Sequence, residues 1–268
     1  MQNIYQKIFN IKNKNILLTG ANGFLGLYFS KLLLDCETNL YLVDKEISNL
    51  KKKLKKQNKS KLIIKKSNII KKKDCKKIVE DSIKKLGHID IFINCAAKND
   101  FLSSRNIPFN KYNEKDWKKT LEINLSSAFY LSQFLGRHFE KNKKGKIIFI
   151  GSHYTVVAPD QSLYTNNKGK QIFIKGPDYG VSKFGLLGLT KYLASYYAEK
   201  NITVNMLSPT SIKNKENLEF QKKFSMKTPI KRMSYLSEYS GPLLFLCSHS
   251  SSYVNGLNLL IDGGLTST

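Results

Sequence analysis

Three evenly spaced glycines near the amino terminus constrain the fold of this chain most. Gly20, Gly23 and Gly26 follow a short apolar run at residues 15–18. The apolar residues that come next recur on one helical face, at Leu25, Phe29, Leu32 and Leu33. The pattern predicts a buried strand, a tight turn and a helix. Small residues let a backbone approach a pyrophosphate, and a helix N-terminus offers unpaired N–H groups, so we expect phosphate binding here.

An acidic residue follows the glycines at the distance that dinucleotide binding requires. Asp44 ends a second apolar run, residues 40–43, about 20 residues after the turn. A carboxylate at this place accepts hydrogen bonds from the two hydroxyls of an adenosine ribose. It also repels a 2′-phosphate, so Asp44 favours NAD, although Lys45 beside it keeps NADP open. The alternative is a structural strand–helix turn without a ligand.

Strand-like apolar runs recur along the whole chain with helical segments between them. This alternation predicts a doubly wound α/β fold of the Rossmann type, with about seven parallel strands and helices on both faces. No linker divides the chain, so we expect one domain over residues 1–268. The runs lie at residues 16–18, 40–43, 62–64, 89–93, 146–150, 202–207 and 257–261.

Three later helices are marked by their apolar spacing and their ends. Asp74 is the expected cap of one helix, which Gly87 ends, and the others are expected over 114–139 and 179–200. Two polar stretches, about 154–178 and 210–228, do not fit the alternation. Long irregular segments inside compact domains are usually functional, so we expect an inserted loop and a substrate loop.

Composition narrows the classes of function and location. The formal net charge is +25, but only three of the 45 basic residues are arginines, the residue that specific nucleic-acid readers favour. We therefore interpret the charge as a solvated lysine-rich surface that attracts anionic ligands, with no nucleic-acid partner. Four separated cysteines, scattered histidines and the absence of a long apolar run predict a cytoplasmic protein with reduced thiols, no metal site and no membrane span.

A tyrosine and a lysine one helical turn apart are candidate catalytic groups. An ammonium beside a phenol lowers the phenol pKa, which allows proton exchange with a substrate oxygen near neutral pH. Two pairs have this spacing, Tyr179 with Lys183 and Tyr164 with Lys168. Residues after Tyr179 have a strong helical pattern, whereas the sequence Thr-Asn-Asn-Lys-Gly-Lys after Tyr164 would not hold a helix. The expected catalytic pair is therefore Tyr179 and Lys183.

Six motifs in order resemble those of the short-chain dehydrogenase/reductase family over nearly the whole chain. They are the glycine loop at 19–26, Asn-Cys-Ala-Ala at 94–97, Asn124, Gly151-Ser152, the segment 204–209 and Ile-Asp-Gly-Gly at 261–264. The resemblance implies reversible hydride transfer between a nicotinamide and a secondary alcohol or ketone. It implies four catalytic residues: Asn124, Ser152, Tyr179 and Lys183.

The resemblance also implies the residues that hold each ligand. Substrate contacts are expected from Ser152, His153, Tyr154 and Tyr179. Cofactor contacts, with NAD favoured, are expected from Gly20, Asn22, Gly23, Phe24, Leu25, Gly26, Asp44, Asn68, Ile69, Asn94, Ala96, Ala97, Tyr179, Lys183, Pro209, Ser211 and Ile212. Family members usually associate through the helices expected at 114–139 and 179–200, which implies a homodimer or homotetramer.

Three departures from the family pattern refine the expectation. The G-x-x-G-x-x-G spacing is more like that of the larger sugar-nucleotide branch, and Asn68 stands where an acidic residue is often found. The usual serine-to-tyrosine spacing would select Tyr164, so choosing Tyr179 implies an insertion. Residues 156–164 of that insertion resemble a loop of oxidoreductases associated with flagellin modification and nonulosonic sugars.

The substrate expected from this likeness is a sugar or sugar nucleotide of surface-glycan or flagellin-modification biosynthesis. Polar and basic residues would line the site for a hydroxylated anionic ligand: His153, Tyr154, Asn166, Lys168 and Lys170. A 3-oxoacyl thioester or generic alcohol, which would need an apolar channel, is the alternative substrate. A protein that binds a cofactor or RNA without catalysis is the alternative of another class.

Overall fold

One parallel sheet of seven strands organises the chain. The computed structural model describes residues 4–54, 60–99, 106–214 and 218–267. The strand order is β3-β2-β1-β4-β5-β6-β7, and every neighbouring pair is parallel, so the expected Rossmann-type α/β sheet is confirmed. The strands are β1 Asn15–Thr19, β2 Asn39–Asp44, β3 Leu62–Lys66, β4 Ile91–Asn94, β5 Gly145–Ile150, β6 Ile202–Pro209 and β7 Asn258–Ile261.

Apolar residues are continuous along the central strands because both faces of the sheet are covered. In β1, Leu17 packs into the core on one face, whereas Ile16 and Leu18 pack into the core on the other. All three side chains are fully buried. Alternate side chains point to opposite faces of a strand, so two buried faces require an unbroken apolar run.

Nine α-helices lie in the described part of the chain. They are α1 Ile4–Ile8, α2 Phe24–Asp35, α3 Ser48–Lys53, α4 Lys72–Leu86, α5 Glu114–Leu121, α6 Ser127–Asn142, α7 Pro177–Tyr197, α8 Leu218–Lys227 and α9 Ser240–Cys247. The predicted stop at Gly87 is confirmed, because its φ of 87° suits glycine. The predicted cap at Asp74 is wrong: α4 begins two residues earlier, and Asp74 lies in its first turn near the positive end of the helix dipole.

The helix expected over 114–139 contains a π-helical turn. Glu122–Ser126 joins α5 to α6 and carries Asn124. A π turn is a single turn of i→i+5 hydrogen bonds inside an α-helix, and the expectation of one continuous helix did not include it. The helix expected over 179–200 is confirmed as α7, which ends in a short 3-10 turn at Ala198–Lys200.

The two irregular stretches pack against each other. The inserted loop contains 3-10 turns at His153–Thr155 and Gln161–Tyr164, and the substrate loop contains α8, which the sequence did not predict. Both contribute to a small separate core of Leu163, Tyr164, Phe220, Phe224 and Met233. The expectation of two loops is therefore corrected to a loop and a helix with a shared apolar contact.

Gly26 allows a close approach that any other residue would obstruct. A Cβ at Gly26 would overlap the carbonyl oxygen of Gly20, a backbone atom that cannot move aside. We expect Gly26→Ala to lower the free energy of unfolding by about 1–3 kcal/mol, as overpacking does. The measurement is urea unfolding followed by circular dichroism.

Gly241→Ala is the matched control. A Cβ at this exposed helical position meets nothing within 4 Å, so alanine should leave stability unchanged or raise it by up to about 1 kcal/mol. Equal effects of the two substitutions would contradict the packing argument.

Candidate active site

A cavity of about 620 Å³ opens at the carboxyl edge of the sheet. In open α/β sheets this edge is where ligands bind. Nine of the residues predicted for cofactor or substrate line the cavity: Phe24, Leu25, Ser152, His153, Tyr154, Tyr179, Pro209, Ser211 and Ile212. The structure therefore brings together parts of the chain that are almost 190 residues apart.

Tyr179, Ser152 and Lys183 meet in this cavity or against its wall. Ser152 comes two residues after β5, and its side chain is close enough to the phenol of Tyr179 to oppose the rise of that phenol's pKa. Lys183, one turn later on α7, is buried, and its ammonium donates to the carbonyl of Ile150 over 2.7 Å. The same ammonium lies 5.5 Å from the centroid of the Tyr179 ring. A phenol, a hydroxyl and a cation in this arrangement can exchange a proton with a bound substrate oxygen.

Burial dominates the pKa values of the pair in this structure. It raises the pKa of Tyr179, an effect that the hydrogen bond from Ser152 only partly opposes. It also lowers the pKa of Lys183 to about 8. The expected lowering of the Tyr179 pKa by Lys183 is thus not met here, because desolvation by burial is the largest effect on the pKa of each group.

Tyr164 lines the same cavity but lies in a 3-10 turn rather than in an α-helix shared with Lys168. It ends a 3-10 turn, and its hydroxyl lies 3.2 Å from that of Tyr154. The chain then turns back, with a bridge between Thr165 and Gln171, so Lys168 is exposed on the turn. The helical geometry that proton transfer needs is found at Tyr179.

Asn124 connects the segment after β4 to helix α7. Its side-chain oxygen accepts from the backbone N–H of Lys98 over 2.7 Å. Its amide donates to the Ser182 hydroxyl over 2.9 Å and to the Lys98 carbonyl over 3.1 Å. The π turn directs this side chain inward, where it fixes the residue preceding Lys183.

The glycine loop has the shape of a dinucleotide cradle. Gly20 has a φ of +71°, and a Cβ there would lie 2.5 Å from the backbone of Ala96. Helix α2 starts after Gly23 with no side-chain cap, which leaves N–H groups for a ligand. Asp44 ends β2, and its carboxylate accepts from the N–H groups of Asn22 over 2.9 Å and Glu46 over 3.1 Å. These residues fit a pyrophosphate and an adenosine ribose.

The remaining predicted cofactor residues lie along the same edge. Asn94 accepts a 2.7 Å hydrogen bond from the Thr19 hydroxyl and so joins β4 to β1. Ala96 is partly buried, and Ala97 is exposed. After β3, Asn68 is exposed and accepts from the N–H of Ile70, while Ile69 is buried.

The family model for short chain dehydrogenases matches residues 14–223, which is more than half of the chain. The chain is a short-chain dehydrogenase/reductase. It is an oxidoreductase that acts on alcohols or ketones with NAD or NADP.

Three relatives show how far this similarity extends. NAD-dependent glycerol dehydrogenase of Listeria innocua is 31% identical over 268 residues, covering 98% of this chain and 97% of its own. The 3-oxoacyl-[acyl-carrier-protein] reductase FabG of Buchnera aphidicola is 36% identical over 186 residues, 68% of each chain. A solved short chain dehydrogenase from Leptospira borgpetersenii with bound NAD+ is 30% identical, with a TM-score of 0.84, and the match covers 99% of this chain and 96% of that one.

The wall of the oxidoreductase site is more aromatic than the sequence suggested. Tyr154, Tyr164, Phe173 and Phe220 all line the cavity. Of the five lining residues predicted for an anionic ligand, only His153 and Tyr154 do so. Asn166, Lys168 and Lys170 form a tight turn, in which the Asn166 side chain accepts from both lysine N–H groups, so the lysines are exposed away from the cavity.

Several cavity residues, Asn99 and Met233 among them, and one nearby lysine were not identified from the sequence. Asn99 and Met233 lie in the wall, and Lys175 is buried beside Tyr179. The insertion could have indicated that Lys175 lies near the site, but nothing in the sequence distinguished this lysine from the many others.

Residues 4–54, 60–99, 106–214 and 218–267 contain no helix long and apolar enough to cross a membrane. Within those ranges there is no group of three or more histidine, cysteine or acidic side chains that could hold a metal.

His153 is a buried neutral imidazole in the enzyme. Burial lowers its pKa to about 4, although a hydrogen bond to the Pro209 backbone opposes the shift. Its Nδ1 is buried, without a hydrogen-bond partner among the described residues. An unfolded histidine takes up its proton near pH 6.5, whereas His153 stays neutral, so the enzyme loses stability as the pH falls from about 6.5 towards 4.

We expect this histidine to account for about 2 kcal/mol of the stability lost between pH 7 and pH 5. The measurement is the free energy of unfolding in urea at both pH values, for the parent enzyme and for His153→Gln. The variant should lose about 2 kcal/mol less on acidification. The same change at the exposed His249 is the control, and equal pH dependence in all three proteins would contradict the assignment.

Proposed function

We propose that the enzyme transfers hydride between NAD and a secondary alcohol or ketone, with Tyr179 as the acid and base. The observation that carries the proposal is the meeting of Tyr179, Ser152 and Lys183 at the cavity. Ser152 and Tyr179 are close enough for one substrate oxygen to contact both hydroxyls.

Each residue has a separate role in the proton step. Ser152 holds the substrate oxygen, and Tyr179 gives or takes its proton. Lys183 supplies positive charge beside the phenol, and Asn124 fixes the residue before it through Ser182. A bound nicotinamide supplies the hydride acceptor or donor at its C4 carbon, and the protein supplies orientation and proton transfer.

Replacing Tyr179 with phenylalanine tests this assignment. General acid–base catalysis is worth about 100- to 10,000-fold, so we expect Tyr179→Phe to lose at least about 100-fold in kcat while it still folds and binds NAD. The measurement is NADH formation at 340 nm with a polyol and sugar panel, beside NAD binding by calorimetry.

Tyr164→Phe is the matched control, because Tyr164 lines the same cavity and has the same competing Tyr-x-x-x-Lys spacing. We expect it to keep kcat within about tenfold, since it removes no proton donor from the reaction. The opposite ranking of the two variants would transfer the catalytic role to Tyr164.

We propose NAD as the preferred cofactor over NADP. The Asp44 carboxylate ends β2 beside the glycine loop, where it can accept from both ribose hydroxyls and repel a 2′-phosphate. The named NAD dependence of the Listeria relative and the NAD+ bound to the Leptospira structure support the same choice.

Asp44→Asn isolates the charge because it keeps an oxygen for the loop N–H groups. We expect the ratio of NADP to NAD dissociation constants to fall at least about tenfold, as loss of a charge-assisted hydrogen bond does. Glu46→Gln, in the exposed next turn, is the control and should leave the ratio unchanged. Tighter binding of NADP by the parent enzyme would overturn the preference.

The substrate that we propose is a sugar or sugar nucleotide used in surface-glycan or flagellin-modification biosynthesis. The aromatic wall suits the apolar face of a sugar ring, and the side chains of Asn99, Asn214 and Gln221 can bond hydroxyls. A screen of nucleotide-linked and phosphate-linked sugars with NAD and NADP tests the class.

Reduction of a 3-oxoacyl thioester is the second candidate. The named activity of the FabG relative favours it, as do Ile172, Phe173 and Met233 in the cavity wall. Turnover of acetoacetyl thioesters without turnover of any sugar would select this alternative. RNA binding without any NADH oxidation would select the non-catalytic one.

A homodimer or homotetramer is proposed from the exposed side of α6 and α7. Phe129, Phe184, Tyr192 and Tyr196 are each at least 44% exposed there, which is unusual for large apolar side chains in a monomer. Sedimentation should show an oligomer that Phe184→Glu dissociates. A monomeric parent enzyme would contradict the proposal.

The unpaired thiols agree with a proposed cytoplasmic location.

A further inference from the structure

Lys175 is a buried lysine that the inserted loop holds in place through its backbone. Its side chain is only 5% exposed. The Gln161 side chain accepts from the Lys175 N–H over 3.0 Å and donates to the Lys175 carbonyl over 2.9 Å. One amide therefore fixes both backbone groups of this residue. Burying a lysine is costly, so a site built to hold one calls for an explanation.

The Lys175 ammonium lies against the phenol of Tyr179. Its nitrogen is 4.8 Å from the ring centroid, closer than the 5.5 Å of Lys183. It also donates to the side chain of Asn99, which lines the cavity. Its positive charge contributes to the lowered pKa of His153. The ammonium is therefore close enough to act on both Tyr179 and His153, which line the same cavity.

Among the described residues, Lys175 and Lys183 are the two cations whose nitrogens lie against the Tyr179 ring. Ser152, Tyr154, Tyr164 and Cys95 are neutral groups close enough to affect ionisation. On α7 itself, Asp178 accepts a hydrogen bond from the Thr120 hydroxyl. Lys183 is a cation whose pKa is lowered to about 8 by burial.

We propose that Lys175 is a second ammonium acting on Tyr179, which stabilises the phenolate and so sets the pH range in which the enzyme works. This inference rests on the proposed acid–base role of Tyr179. Lys175 is a positioning residue, because it acts through the tyrosine.

The physical argument is one of competing effects on the same phenol. Burial penalises the phenolate, so nearby positive charge is needed if this phenol is to ionise. An opposite charge close to an acid lowers the pKa of that acid. The Lys175 nitrogen lies 4.8 Å from the centroid of the ring that carries the phenol, and Lys175 comes from the insertion, so this chain has a second ammonium that the Tyr-x-x-x-Lys pair alone lacks.

The test is a spectroscopic titration of the NAD-saturated protein. Absorbance at 295 nm follows tyrosine ionisation, and subtracting the curve of Tyr179→Phe isolates residue 179. We expect Lys175→Met, compared with its own Tyr179→Phe double variant, to raise the pKa of residue 179 by at least about 1. Lys175→Arg, which keeps the charge, should restore a value near that of the parent.

Two further variants keep the result interpretable. Lys170→Met removes an exposed lysine of the same loop and should leave the titration unchanged. Lys175→Gln removes the charge but can still donate to Asn99, so it replaces Lys175→Met if that variant does not fold, with the same expected rise.

The outcomes separate this inference from the proposed function. An unchanged pKa in the neutral variants, or no ionisation of residue 179 below pH 11 in any protein, would overturn the role of Lys175. If the pKa is unchanged but the neutral variants raise KM for a charged sugar at constant kcat, Lys175 binds substrate instead. Full activity of Tyr179→Phe would remove the proposed function itself.

Discussion

The hydrogen bond from the Lys183 ammonium to the Ile150 carbonyl fixes helix α7 against the carboxyl end of β5. Because Ser152 follows that strand at once, the same contact determines how the phenol of Tyr179 meets the serine hydroxyl. Asn124 supports the arrangement from the opposite side through Ser182. The parallel sheet brings the glycine loop and Asp44 to the same edge as the cavity that Ser152 and Tyr179 line. A misplaced α7 would separate the proton donor from that cavity while leaving the sheet intact.

The insertion is part of the cavity wall rather than an appendage. Tyr164 stacks on Phe220 at 5.5 Å between ring centroids, and Lys223 and Lys227 of α8 bond Thr165 and Asp160 of the insertion. The insertion and helix α8 therefore stabilise each other. One side of the insertion contributes aromatic rings to the site, and its end delivers Lys175 to Tyr179. The insertion, which departs from the family pattern, thus lies in the wall of the cavity.

Sequence reasoning succeeded where one local pattern decides the structure. Apolar runs identified the strands because both sheet faces are buried, and the helical pattern after Tyr179 separated it from Tyr164. It failed where contacts between distant segments of the chain determine the structure. Helix α8 is stabilised by Leu163 and Tyr164, more than 50 residues away, and Lys168 and Lys170 turn outward because Asn166 closes a tight turn. The π turn at Asn124 interrupts what the spacing predicted as one continuous α-helix, and nothing in the sequence distinguished Lys175 from the many other lysines.

A crystal structure with NADH bound tests the central claim most directly, because it shows which tyrosine hydroxyl faces the nicotinamide. The account predicts that Tyr179, bonded to Ser152, lies nearer to C4 than Tyr164 does, with the adenosine ribose against Asp44. A nicotinamide that approaches Tyr164 instead, or a dinucleotide that avoids the glycine loop, would contradict it.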